Sequence, residues 1–185
     1  MSSNPSPALP TVPVLETSRL LMRAFQATDF PALLAMCQEP DYYRYLTPGP
    51  LPGEEVWKLL LRSAGLWAVV GYGSWAIEEK ATGQFIGSAG FLYLKRDLDP
   101  PLGEAPEMGW VLAPAAHGKG YATEAVAAAI AWGEVYFNHA RTVCIINPEN
   151  KASLRVAEKF GYREYARTTY HDGPIVLLER AGRAG

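Results

Sequence analysis

Glu107 opens a short apolar run, Glu107-Met108-Gly109-Trp110-Val111-Leu112, that leads through Ala113-Pro114 into His117-Gly118-Lys119-Gly120-Tyr121-Ala122. An alanine-rich segment then extends to about Phe137. Glycines one residue apart at a helix start leave little bulk over the unpaired backbone N–H groups. Those groups and the positive end of the helix dipole suit a diphosphate. A carboxylate on the strand leading into such a cradle points to an enzyme that handles a phosphate-bearing cofactor.

Three phosphate motifs compete for this turn. A P-loop needs Ser or Thr directly after Gly-Lys to hold magnesium, whereas Gly118-Lys119 is followed by Gly120. A dinucleotide fingerprint needs a third glycine, where Thr123 stands, and an acidic residue about twenty positions on. The chain reads Asn138-His139-Ala140-Arg141-Thr142 there. What remains is a polar residue, two spacers, Gly, one spacer, then Gly or Ala: His117, Gly120, Ala122.

That pattern resembles the acetyl-CoA diphosphate loop of GNAT-superfamily N-acetyltransferases, with His117 where Arg or Gln is usual. Leu15-Glu16-Thr17-Ser18-Arg19-Leu20-Leu21-Met22-Arg23 resembles the opening strand of the RimJ/RimL-like branch, which acetylates ribosomal-protein N-termini. Asn147-Pro148-Glu149-Asn150-Lys151-Ala152-Ser153, running into Glu158-Lys159-Phe160-Gly161-Tyr162, resembles the closing motif of that branch. The matches run in order over roughly residues 15–180.

The resemblance implies acetyl-CoA as co-substrate, no metal, and direct attack by a primary amine in a ternary complex. Backbone groups of Trp110, Val111 and Leu112 would receive the pantetheine arm in a splay between parallel strands. His117, Gly118, Lys119, Gly120, Tyr121 and Ala122 would hold the diphosphate, and Asn147 and Asn150 would contact the arm. Glu107 is the candidate general base, with Glu104 as the alternative. Ser153 is the candidate acid for the departing thiolate, with Tyr162 or water as rivals. The acceptor is either a protein N-terminus or a small amine; Asp97, Asp99, Glu104 and Glu107 would favour a cationic one. A catalytically silent acyl-CoA sensor or interaction module on the same fold is the competing function. Edge strands in this fold often pair into homodimers.

These residues need a scaffold, and the chain spells one. Residues 1–13, with four prolines, read as a disordered tail before a domain over 14–182. A strand is expected over 19–25, then a helix capped by Thr28 and running to about Gln38. Residues 39–52 hold four prolines and an aromatic cluster, Tyr42, Tyr43 and Tyr45, which either walls the acceptor pocket or packs. A helix over 53–63 is followed by Leu66–Val70, a hairpin over 73–94 and a loop over 95–105. After the 106–112 strand come a helix over 119–137 and a strand over 142–146. A helix over 150–160, ended by Gly161, and strands over 162–170 and 175–180 complete the chain. The order of these elements matches that of the family it resembles, and the resemblance implies an α/β (α+β) fold class, the GNAT acyltransferase fold, with a mixed, mostly antiparallel sheet of about seven strands and about four helices.

Composition sets the bounds. At 185 residues and 49% apolar, the chain suits one folded domain. A net charge of −2 gives no broad basic field and argues against a nucleic-acid partner. Cys37 and Cys144 lie in apolar segments without metal-ligand spacing and read as reduced core thiols. No charged leader or apolar run of ~20 residues is present, so the expected location is the cytoplasm, with no membrane partner. His139 reads as a surface residue at a helix end and His171 as part of a turn.

Overall fold

The computed structural model describes residues 11–182; most of the expected tail lies outside the described residues. Among the described residues eight strands form one sheet: β1 (Leu15–Glu16), β2 (Leu20–Arg23), β3 (Ser74–Glu79), β4 (Gln84–Leu92), β5 (Glu107–Leu112), β6 (Thr142–Ile146), β7 (Arg163–Tyr170) and β8 (Gly173–Arg180). They are ordered β1-β2-β3-β4-β5-β6-β8-β7. Every pairing is antiparallel except β5 with β6. The helices are α1 (Phe30–Cys37), α2 (Pro40–Tyr43), α3 (Gly53–Val70), α4 (Tyr121–Tyr136) and α5 (Lys151–Lys159).

Alternation along β5 sorts the helices into two layers. Val111 packs toward Leu33 and Met36 of α1 and Val56 and Leu60 of α3. Met108 and Leu112, one residue out of phase, pack with Tyr121, Ala125, Val126, Ala129 and Ile130 of α4 and Ala157 of α5. Glu107 therefore shares the α1/α3 face. A smaller cluster on this face joins Leu98 and Leu102 of the β4–β5 loop to Val143, Ile175 and Leu177.

The element count exceeds expectation by one strand and one helix. β1 is only two residues long, too short to register as a period-2 signal. Pro40 supplies the first turn of α2, and Tyr42 from that helix is buried against Cys37 and Val56, so this member of the tyrosine cluster packs. The helix expected over 53–63 is α3, which continues unbroken through Leu66 to Val70 and ends at Gly71, whose φ of +82° gives the left-handed stop. Thr28 is not the cap of α1. A 3-10 turn over Ala27–Asp29 precedes that helix, and the buried Asp29 carboxylate accepts from the Gln26 amide at 2.8 Å while paired with Arg23. No helix among the described residues is long and apolar enough to cross a membrane.

Candidate active site

β5 and β6 meet in register at one position only, Glu107 opposite Val143, where the Val143 amide donates to the Pro106 carbonyl at 3.0 Å. Beyond it the two strands part. On the other edge of β5 the Ala113 amide donates to Ile86 of β4 at 2.9 Å. Backbone groups alternate in direction along a strand, so the even-numbered residues of β5 turn theirs toward β6. Trp110 and Leu112 thus present main-chain groups to a gap in which they have no strand partner among the described residues. The sequence-predicted stretch Trp110-Val111-Leu112 lies here, with Val111 turned the other way, toward Ser88 of β4.

The Leu112 carbonyl accepts from Nε2 of His117 at 2.9 Å. The imidazole is turned back onto the strand end, so what His117 offers the cradle is its backbone.

The turn after β5 is built around two left-handed glycines, Gly118 at φ +73° and Gly120 at φ +80°. Only glycine adopts these angles without a Cβ penalty, which explains the spacing. A Cβ at Gly118 would meet nothing within 4 Å, so the backbone there stands in open space. Gly120 is the N-cap of α4, and the first intrahelical bond is Glu124 N–H to the Gly120 carbonyl at 3.1 Å. The amides of Tyr121, Ala122 and Thr123 therefore have no intrahelical partner. Lys119 extends its side chain into solvent, and Tyr121 donates its hydroxyl to Glu79. Bare amides at the start of a 16-residue helix fit a diphosphate.

Across the gap, Asn147 and Asn150 shape the start of α5. Asn147 Oδ1 accepts from the Glu149 amide at 2.9 Å, and Asn150 Oδ1 caps the helix by accepting from the Ser153 amide at 3.0 Å. Ser153 contributes only its amide to this cap, and its half-buried hydroxyl has no hydrogen-bond partner among the described residues. Tyr162 is 0% exposed, and its hydroxyl is paired with Thr142 Oγ1 at 2.9 Å. Burial pushes that phenol well above its ordinary range. The tyrosine is a core residue, not a group open to a thiolate.

Glu107 is 5% exposed and bound on both carboxylate oxygens by Arg96, at 2.6 and 2.8 Å. Arg96 sits over the Tyr170 ring, 4.9 Å from its centroid. Burial works against the Arg96 charge, but the hydrogen bonds and the charge of Glu107 outweigh it and raise the guanidinium pKa. A cavity of about 220 Å³ opens beside this pair, lined among others by Tyr93, Leu102 and Glu104. Glu104, the alternative base, is exposed and accepts from the Tyr93 hydroxyl. Solvent-accessible Arg62 of α3 lies within electrostatic reach of Arg96, Glu107, Tyr42 and Tyr170.

Arg96 is not singled out by the sequence. Its only local signal was a basic residue in a loop of prolines and aspartates, and the contact exists because that loop folds over the β5 face. His139 is exposed, just past the end of α4, and His171 is exposed in the β7–β8 turn.

Residues 19–163 match the family described as acetyltransferase (GNAT) domain. The chain is 34% identical over 112 residues to the uncharacterized protein YkkB of Bacillus subtilis, covering 60% of this chain and 63% of that protein's length. It is 28% identical over 159 residues to the uncharacterized N-acetyltransferase YnaD of the same organism, covering 80% of this chain and 82% of the relative. Among solved structures it is similar in fold to RimL, a ribosomal L7/L12 α-N-protein acetyltransferase in complex with coenzyme A. The TM-score is 0.74 at 18% identity, covering 91% of this chain and 98% of that one.

Proposed function

The chain belongs to the GNAT acetyltransferase family, and from that premise we propose that it transfers the acetyl group of acetyl-CoA directly to a primary amine bound beside Glu107. The observation that carries this reading is the parting of β5 from β6 after a single registered pair, directly below the glycine cradle. The gap supplies strand amides to the pantetheine arm, and the cradle supplies helix-start amides to the diphosphate. Both depend on backbone, which is why ordinary apolar side chains occupy much of the site.

In the proposed reaction the amine nitrogen forms a bond to the thioester carbonyl carbon. The negative charge that develops on the carbonyl oxygen is met by a strand amide in the gap. The tetrahedral adduct collapses by breaking the C–S bond, and the thiolate takes a proton from water, either directly or through the Ser153 hydroxyl, which regains its own proton from solvent. The proton lost by the amine goes to Glu107. Arg96 occupies two of the roughly four lone-pair directions of a carboxylate, so Glu107 can still accept from a bridging water. Arg96 thus acts as a positioning residue.

The acceptor is a protein N-terminus or a small amine, and the likeness to RimL supports the first. The compartment we assign is the cytoplasm, whose reducing poise suits the free, buried thiols of Cys37 and Cys144. A panel of peptides and small amines, assayed by release of free thiol from acetyl-CoA, tests the function. Amine-dependent thiol release is expected. Binding of acetyl-CoA with no release on any amine would instead identify a silent sensor.

A further inference from the structure

The turn joining β1 to β2 closes on the start of α4 through one carboxylate. Glu124, in the first turn of that helix, accepts from Thr17 Oγ1 at 2.6 Å, Ser18 Oγ at 3.1 Å and the Arg19 amide at 3.0 Å. It also takes the Arg19 guanidinium, with Nε at 2.7 Å and Nη2 at 2.6 Å. The same guanidinium donates through Nη1 to the Lys119 carbonyl at 2.9 Å and lies over the Tyr121 ring, 4.5 Å from its centroid. These contacts join segments about a hundred residues apart in sequence.

Lys119 is the residue between the two left-handed glycines. A Gly-x-Gly segment has more backbone freedom than any other part of the loop, and gripping an anion would cost that freedom. Fixing the Lys119 carbonyl lowers that cost before any ligand arrives. It also commits that oxygen, the negative end of the peptide, to a cation. Glu124 would otherwise place an unbalanced negative charge in the helix turn that must accept a diphosphate; Arg19 neutralises it there.

We propose that the Arg19–Glu124 pair is a clasp that pre-forms the diphosphate cradle. Arg19 is a positioning residue that acts through the Lys119 carbonyl and the helix start. The inference rests on the reading of Gly118–Ala122 as the diphosphate site.

Calorimetric titration of the full chain with CoA, and with pantetheine, which lacks the diphosphate, separates the two ideas. Arg19→Ala and Glu124→Gln should each raise the CoA dissociation constant by about tenfold, and the double variant should be little worse than either, as for two members of one unit. Arg19→Lys keeps the charge but cannot span both acceptors, and should fall between wild type and Arg19→Ala. Wild type should bind pantetheine far more weakly than CoA. Unchanged CoA affinity in folded Glu124→Gln or Arg19→Lys would overturn the clasp. Loss confined to the Arg19 variants would overturn it too, because Arg19 would then be touching phosphate directly. Equal wild-type affinity for pantetheine and CoA would remove the cradle reading itself.

Discussion

Arg96 grips both oxygens of Glu107, at 2.6 and 2.8 Å, from a loop position eleven residues earlier in the chain. The side chains of the pair are only 14% and 6% exposed, so each is the neutralising partner of the other's buried charge. Replacing Glu107 therefore does two things at once. Glu107→Gln should slow turnover roughly 10²-fold, the scale for losing a positioned base. It should also cost about 3 kcal/mol of stability by leaving Arg96 without a counter-charge. Turnover has to be measured beside a melting curve. If the rate falls only as far as the folded fraction falls, Glu107 is structural.

The two halves of the site differ in how legible they were. The cradle depends on residues that must be glycine for local reasons, so its spacing is visible in the sequence, and Gly118 and Gly120 do sit at positive φ. The cap of α5 is equally local: Asn150 stands at the start of the helix expected over 150–160, and its side chain accepts from the Ser153 amide. The Arg96–Glu107 pair and the Arg19–Glu124 clasp join segments that only the folded sheet brings together, and no local pattern encodes them. The left-handed end of α3 at Gly71 was obscured by Gly65 and the apolar run after it, which invited an early stop. Thr28 has the residue type of a cap, but the buried Asp29–Arg23 pair decides where that helix begins.

Cofactor affinity should depend on Gly120 more than on any cradle side chain. Gly120→Val should raise the acetyl-CoA dissociation constant at least tenfold, about 1.4 kcal/mol. Because φ there is +80°, the same change should also lower the melting temperature, by strain of about 1–2 kcal/mol. His117→Ala should weaken binding less, since the imidazole serves the Leu112 carbonyl. Normal binding by folded Gly120→Val, measured by calorimetry, would refute the phosphate assignment.

Ser153 and Asn150 divide catalysis from capping. Asn150→Ala should cost about 1 kcal/mol of stability by removing the cap. Ser153→Ala should leave the melting temperature nearly unchanged, because its hydroxyl holds no hydrogen bond among the described residues, and should slow thiol release. Full turnover in Ser153→Ala would hand the proton to water.

Tyr162→Phe should behave as a core substitution. Losing the hydroxyl bond to Thr142 should cost about 1 kcal/mol, with turnover unchanged at temperatures where the protein is folded. A selective loss of turnover without loss of stability would reinstate Tyr162 as the acid.

Acid should loosen the β1–β2 turn. Burial alone would raise the Glu124 pKa, but bonds from Thr17, Arg19 and Ser18 bring it from an ordinary 4.5 down to about 2. A depressed carboxylate contributes stability that is full above its unfolded value and is lost as pH falls toward its folded value. Between pH 4.5 and 2, wild type should therefore lose more stability than Glu124→Gln. Parallel melting temperatures of the two proteins across that window would show that Glu124 is not held by these bonds.

Amide hydrogen exchange with and without acetyl-CoA tests the site most directly. Slowed exchange is expected at Trp110 and Leu112 on the open edge of β5 and at Tyr121, Ala122 and Thr123 at the start of α4, with Val111 unchanged because its amide already faces β4. Protection elsewhere, with these amides unaffected at saturating acetyl-CoA, would contradict the placement of the cofactor between β5 and β6.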